Sequence, residues 1–162
     1  MKAVQILTKA FSIFLFLLMV NDKTMAQDAD KGQQASAMQK KLDTRQFVFV
    51  AQTVIPQRGS LRQLTSTYDL KVSNDSLVCN LPYFGRAYTA PIDPSSGGFN
   101  FVSTSFDYTV KPRKKSGWDV LIKPTDKKDV QQMLLNVFAN GSASLQVISN
   151  SRQPISFNGN VK

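Results

Sequence analysis

From Gln46 to the end of the chain, apolar side chains recur at alternate positions, and glycine, proline, asparagine and aspartate interrupt them every few residues. A period of two places alternate side chains on one face of a strand, whereas a helix needs a period near 3.6, so this stretch is committed to β-structure with one apolar face. Phe47, Phe49 and Ala51 share one face of a first strand, with Val48, Val50 and Gln52 opposite, before Pro56 and Gly59 end it. Tyr68, Leu70 and Val72 alternate with polar residues, Asn74-Asp75 predicts a hairpin turn, and Leu77, Cys79 and Leu81 resume the alternation. The pattern continues through Phe99 and Phe101, then Phe106 to Val110, Trp118 to Ile122, and Met133 to Val137. Asn140-Gly141 is the strongest hairpin signal; Leu145 and Val147 follow it, and Ile155 to Val161 supplies a last strand expected to end at Asn158-Gly159. About nine short strands predict an all-β antiparallel meander, closed or nearly closed into a barrel that removes exposed edges. A two-sheet sandwich stays open as the alternative, because periodicity does not separate the two.

The first 45 residues lack this pattern. Lys2 and Lys9, the apolar run Ala10 to Val20 and the small residues of Thr24-Met25-Ala26 read as an export signal over residues 1–26, cut before Gln27. The run is shorter than the roughly 20 residues of a spanning helix, so the processed protein is expected to be exported, periplasmic or secreted, without a transmembrane span. Residues 27–45 form a polar segment in which Asp28 to Asp43 is weakly helical, with Ala35, Met38 and Leu42 as a narrow apolar stripe. Residues 46–162 are expected to form a single β domain, as a monomer. Cys79 is the only cysteine, so no internal disulfide forms; between Leu77 and Leu81 on one strand face its thiol is expected to be buried and inert.

Candidate functional residues concentrate in Leu81-Pro82-Tyr83-Phe84-Gly85-Arg86-Ala87-Tyr88. Pro82 and Gly85, the latter able to take a positive φ, predict a strand end followed by a turn or bulge. Two readings stand. In one, Tyr83, Phe84, Arg86 and Tyr88 rim a barrel mouth holding a small, partly apolar or anionic ligand, with Arg152 beside them and the Ala90 to Gly98 loop as a lid. In the other they form a structural corner, with Arg86 over a ring or capping carbonyls, and Arg152 ties the last strand to the preceding turn.

The chain has no histidine and no glutamate, which closes the usual Ser-His-Asp and Cys-His arrangements and leaves a poor set of metal ligands. Asp69, Asp107 and Asp119 lie on the polar sides of strands, so the expectation is no enzyme, no cofactor and no metal. Net charge is +9; residues 1–26 hold Lys2, Lys9 and Lys23 against Asp22, so the remainder keeps +7. Lys111, Arg113, Lys114 and Lys115 cluster in one turn, with Lys127 and Lys128 expected near them. This cluster is either a solvated hairpin that protects a strand edge or a contact for anionic lipid, glycan or a protein partner in the envelope. It contains no interleaved aromatics, so nucleic acid is not expected.

Leu81 to Tyr88, the preceding Tyr68-Asp69-Leu70, the Asn140-Gly141 turn with Ala143 and Leu145-Gln146-Val147, and Ser151-Arg152-Gln153 running into Ile155 to Gly159 resemble the domain of unknown function 4251 family, small secreted proteins of Gram-negative bacteria. The resemblance covers roughly Gln46 to Val161. It implies an exported β-rich domain, a lipocalin-like barrel of about eight or nine strands, and it implies no activity or catalytic residues.

Overall fold

The computed structural model describes residues 22–88, 97–114 and 116–162, with side chains from Gly32 onward. The chain divides after Gln34, and the unit Ala35–Lys162 carries the β domain. Most of the expected export signal lies outside the described residues; its expected cut falls within helix α1, Asp22–Asp43. The helix begins at Asp22 rather than at Asp28, since Met25 and Ala26 are good helix formers. Its apolar stripe behaves as expected, with Leu42 and Met38 buried and Ala35 packed beside them. It stops in a Schellman-type cap, in which Gln46 N–H donates to Lys41 C=O (3.1 Å) and Arg45 N–H to Leu42 C=O (3.2 Å). Arg45 takes the left-handed position, φ 52°, that glycine usually fills, and its guanidinium lies 5.0 Å from the Tyr108 ring centroid.

The strands are β1 (Phe47–Pro56), β2 (Arg62–Val72), β3 (Leu77–Pro82), β4 (Gly98–Ser103), β5 (Phe106–Pro112), β6 (Trp118–Pro124), β7 (Val130–Val137), β8 (Ser142–Ser149) and β9 (Ile155–Val161). All nine join one antiparallel sheet in the order β4-β3-β2-β1-β9-β8-β7-β6-β5, a nearly closed barrel, so the barrel expectation holds against the sandwich. Both hairpin turns read from sequence are present: Ser73 pairs with Ser76 around Asn74-Asp75, and Gly141 (φ 85°) turns β7 into β8.

β4 and β5 do not pair, although only Thr104 and Ser105 separate them. Going round the sheet from β4 to β5 takes an even number of antiparallel steps, so the two run in the same direction. They are therefore the halves of one bent strand, the first paired to β3 and the second to β6. The bend is held by the β6–β7 loop: Ser103 Oγ donates to Asp126 Oδ1 (2.5 Å), Thr104 N–H to Asp126 Oδ2 (3.4 Å) and Thr125 N–H to Ser105 C=O (2.9 Å).

Two features of the ladder depart from simple alternation. The β1 register shifts between Ala51 and Thr53, so the buried face passes from Phe47, Phe49 and Ala51 to Val54 and Pro56. β9 runs on to Val161, past the expected end at Asn158-Gly159, because Gly159 marks a close crossing and not a turn: a Cβ there would lie 2.0 Å from Val50 O on β1. The inward side chains form one apolar cluster in which Phe49, Phe157, Leu70, Leu135, Met133 and Ile122 are fully buried. Trp118 packs into it at the start of β6, and burial pushes the Cys79 thiol far above its ordinary value, favouring the inert form.

Candidate functional site

β3 ends at Pro82, which pairs with Gly98 where no ladder donor is needed. Gly98 is required there, since a Cβ would sit 2.4 Å from Leu81 O. Beyond β3 the chain forms a strap that pairs with the β8–β9 connection: Ala87 bridges Arg152, Tyr88 N–H donates to Ser151 C=O (2.7 Å) and Gln153 N–H to Arg86 C=O (3.0 Å). Tyr83 folds back under this strap, its hydroxyl donating to Arg86 C=O (2.7 Å) and also lying 3.2 Å from Gln153 C=O. Burial raises the Tyr83 phenol above its ordinary pKa, while the Gln153 contact and the Arg152 charge oppose the shift. Gly85 does not take a positive φ; its missing side chain makes room, because a Cβ would lie 2.5 Å from the Tyr83 hydroxyl.

Arg152 holds the corner together. Its guanidinium lies 5.3 Å from the Tyr83 centroid and 5.1 Å from that of Phe99, and these rings meet edge to face at 5.6 Å. Nη1 donates to Gly98 C=O (3.1 Å), Nε lies 3.8 Å from Asp129 Oδ2, and the side chain is 14% exposed. Asp129 also accepts from the Ser149 hydroxyl at 3.0 Å and from the Ser151 hydroxyl. One arginine thus links the start of β4, the β6–β7 loop and the β8–β9 connection.

Of the expected ligand contacts, the structure brings Tyr83 and Arg152 together and leaves Phe84, Arg86 and Tyr88 exposed on the strap. Phe84 lies under Arg62, 5.3 Å from ring centroid to guanidinium, and Tyr88 is 64% exposed. The expected lid, Ala90 to Gly98, falls outside the described residues except for Gly97 and Gly98. Sequence reasoning missed Phe99, Asp129, Ser149 and Ser151. The nearest signal was the run Ser149-Asn150-Ser151-Arg152, which reads equally well as an ordinary turn.

The basic cluster sits on the β5–β6 hairpin, where Lys111 and Lys114 are exposed; Lys115 lies outside the described residues. Arg113 pairs with Asp119 (3.3 Å) and covers the Phe138 ring (5.6 Å), while Asp119 also accepts from Asn136 Nδ2 (2.6 Å). Lys127 and Lys128 are not near this cluster: they follow the far end of β6, whose Trp118 pairs with Pro112 and whose Pro124 pairs with Phe106. A seven-residue strand separates the two groups. The cations that do share the hairpin's end of the barrel are Lys40 and Lys41 near the helix terminus, since Met38 approaches the Gly141 turn and Arg113 covers Phe138 beside that turn, whereas Arg45 lies over Tyr108 midway along β5, beside Asp107 and Lys123. Asp69 lies 3.5 Å from Lys71, and Asp107 and Asp119 face Lys123 and Lys111 across the β5–β6 ladder. Among the described residues no helix is long and apolar enough to cross a membrane.

Fold and site together define a nearly closed antiparallel β-barrel with a packed apolar core and an arginine-centred corner beside a break in its wall. The chain belongs to the family described as Domain of unknown function (DUF4251), whose profile matches residues 29–161. The crystal structure of a DUF4251 family protein from Bacteroides eggerthii DSM 20697 has a similar fold, with 18% sequence identity over 84% of this chain and 89% of that chain and a TM-score of 0.58. At that identity the likeness speaks for the fold alone. No curated protein matches.

Proposed function

We propose that this is an exported, non-enzymatic envelope protein whose packed barrel is a scaffold and whose cationic end engages an anionic partner, a phosphate-bearing lipid or an acidic glycan. The observation that carries this reading is the gathering of Lys40, Lys41, Lys111, Arg113 and Lys114 at one end of the barrel, against Asp43, Asp75 and Asp119. The net charge of +7 outside residues 1–26 has the same sign. A surface of this kind attracts polyanions over roughly a Debye length, about 8 to 10 Å at ordinary salt. A ligand inside the barrel draws less support, because the apolar cluster fills the inward face and Tyr83 and Arg152 are engaged with backbone carbonyls, rings and Asp129.

Sedimentation with vesicles tests the reading. The domain is expected to be retained on vesicles containing phosphatidylglycerol, released by about 0.5 M salt, and not retained on phosphatidylcholine alone. Lys111→Glu with Lys114→Glu should weaken retention by about 30-fold or more, from about 1 kcal/mol per basic residue near an anionic surface. Equal retention of the variant, or equal binding to both kinds of vesicle, would refute it.

A further inference from the structure

Among the described residues, the break in the barrel wall has a strand edge without a partner on one side. Phe99, Phe101 and Ser103 face Leu81, Cys79 and Leu77 on β3, while Gly98 opposite Pro82 turns its carbonyl away to accept from Arg152. By the alternation of an antiparallel ladder, Asn100 and Val102 must also turn their N–H and C=O groups away from β3, and Thr104 N–H, next in phase, reaches Asp126. The edge is therefore tied at both ends, to Arg152 at Gly98 and to Asp126 at Thr104. Between the ties, the backbone groups of Asn100 and Val102 have no partner among the described residues.

Natural sheets protect such an edge with lysine, proline, a bulge or a covering element. At the opposite free edge, on β5, the helix terminus holds one side chain: the Tyr108 hydroxyl donates to Leu42 C=O (2.9 Å) and Arg45 lies over the Tyr108 ring. Among the described residues β4 has no contact of this kind: Gly98, Asn100 and Val102 on its outward face carry no charge, and Val102 is 53% exposed. Beside the edge lies a cleft of about 280 Å³, with Phe99, Phe101 and Val130 among its walls and Lys127 and Lys128 on the facing loop.

We propose that this edge takes up an extended peptide strand bearing acidic side chains. A strand laid between the ties would exchange backbone hydrogen bonds with Asn100 and Val102, as in recognition by strand addition, and place alternate side chains toward the facing loop. Charge selects the occupant. Asp126 and Asp129 already accept from Ser103, Ser149 and Ser151 and stand beside Lys127 (3.5 Å) and Arg152 (3.8 Å), whereas Lys128 is exposed and has no carboxylate partner among the described residues. A second copy of this chain would bring the same cationic loop against its own kind. The proposal stands apart from the lipid or glycan contact, which uses the other end of the barrel.

Amide hydrogen exchange read by NMR tests it, with end-blocked pentapeptides of alternating valine and aspartate, and of alternating valine and lysine, as probes. In the free protein the Asn100 and Val102 amides are expected to exchange fast; the aspartate peptide should slow both by about tenfold or more at saturation, and the lysine peptide should not. Val102→Pro removes one edge donor and should abolish the effect while leaving vesicle retention unchanged. If that variant does not fold, Lys128→Glu, which leaves the Lys127–Asp126 pair and the tie at Thr104 in place, should transfer the preference to the lysine peptide. Slow exchange at both amides in the free protein, no slowing by the aspartate peptide, or equal slowing by the two peptides would overturn the proposal.

Discussion

Arg152 shows how much one side chain can do by shape as well as charge. Its planar guanidinium meets two rings, donates to Gly98 C=O and stands beside Asp129, a combination that a lysine ammonium does not reproduce. Arg152→Lys should therefore lower stability by about 2 kcal/mol, from the lost ring contacts and hydrogen bond, read as a lower urea midpoint at unchanged slope. A lysine variant as stable as the parent would show that charge alone matters there. Arg152 and Tyr83 were legible in the sequence as special residues. Their partners were not: Asp129 lies on the β6–β7 loop and Phe99 on β4, and only closure of the barrel brings these segments to one corner.

The bent strand β4–β5 is the element that distinguishes this barrel from a plain meander. Sequence periodicity locates both halves but counts them as two strands of an antiparallel meander. The bend depends on Asp126, whose carboxyl is held below its ordinary pKa chiefly by the Ser103 hydroxyl, with Thr104 N–H and Lys127 adding to the effect. A carboxyl that binds its proton less readily when folded contributes stability that is complete above its unfolded value and is lost as pH falls through the folded one. The urea midpoint should accordingly drop on acidification from about pH 5 to about pH 3, and Ser103→Ala should show a smaller drop over that interval. Parallel pH profiles for the two proteins would show that this bond does not control the bend's acid sensitivity.

At the scale of the whole molecule, the pairing of β1 with β9 joins the two halves of the sheet, and it passes through Gly159. With a substituted Cβ 2.0 Å from Val50 O, backbone must move against backbone. Gly159→Ala is expected to cost about 3 kcal/mol or more and to lower the thermal midpoint of the whole domain in one cooperative step. A variant that melts at the parent's temperature would mean that this crossing is slack. From residue order alone one could determine the β class, the places of the strands apart from the first half of β2 (Arg62–Ser66) and the end of β9, both hairpin turns and the apolar stripe of the helix, because each is written in local periodicity and turn chemistry. Barrel rather than sandwich, the joining of β4 to β5, the phase change in β1, the separation of Lys127 and Lys128 from the hairpin cations and the corner around Arg152 were decided only in three dimensions. Each of these depends on which strand edges meet across long stretches of chain, and a period of two is the same whichever edge a strand finds.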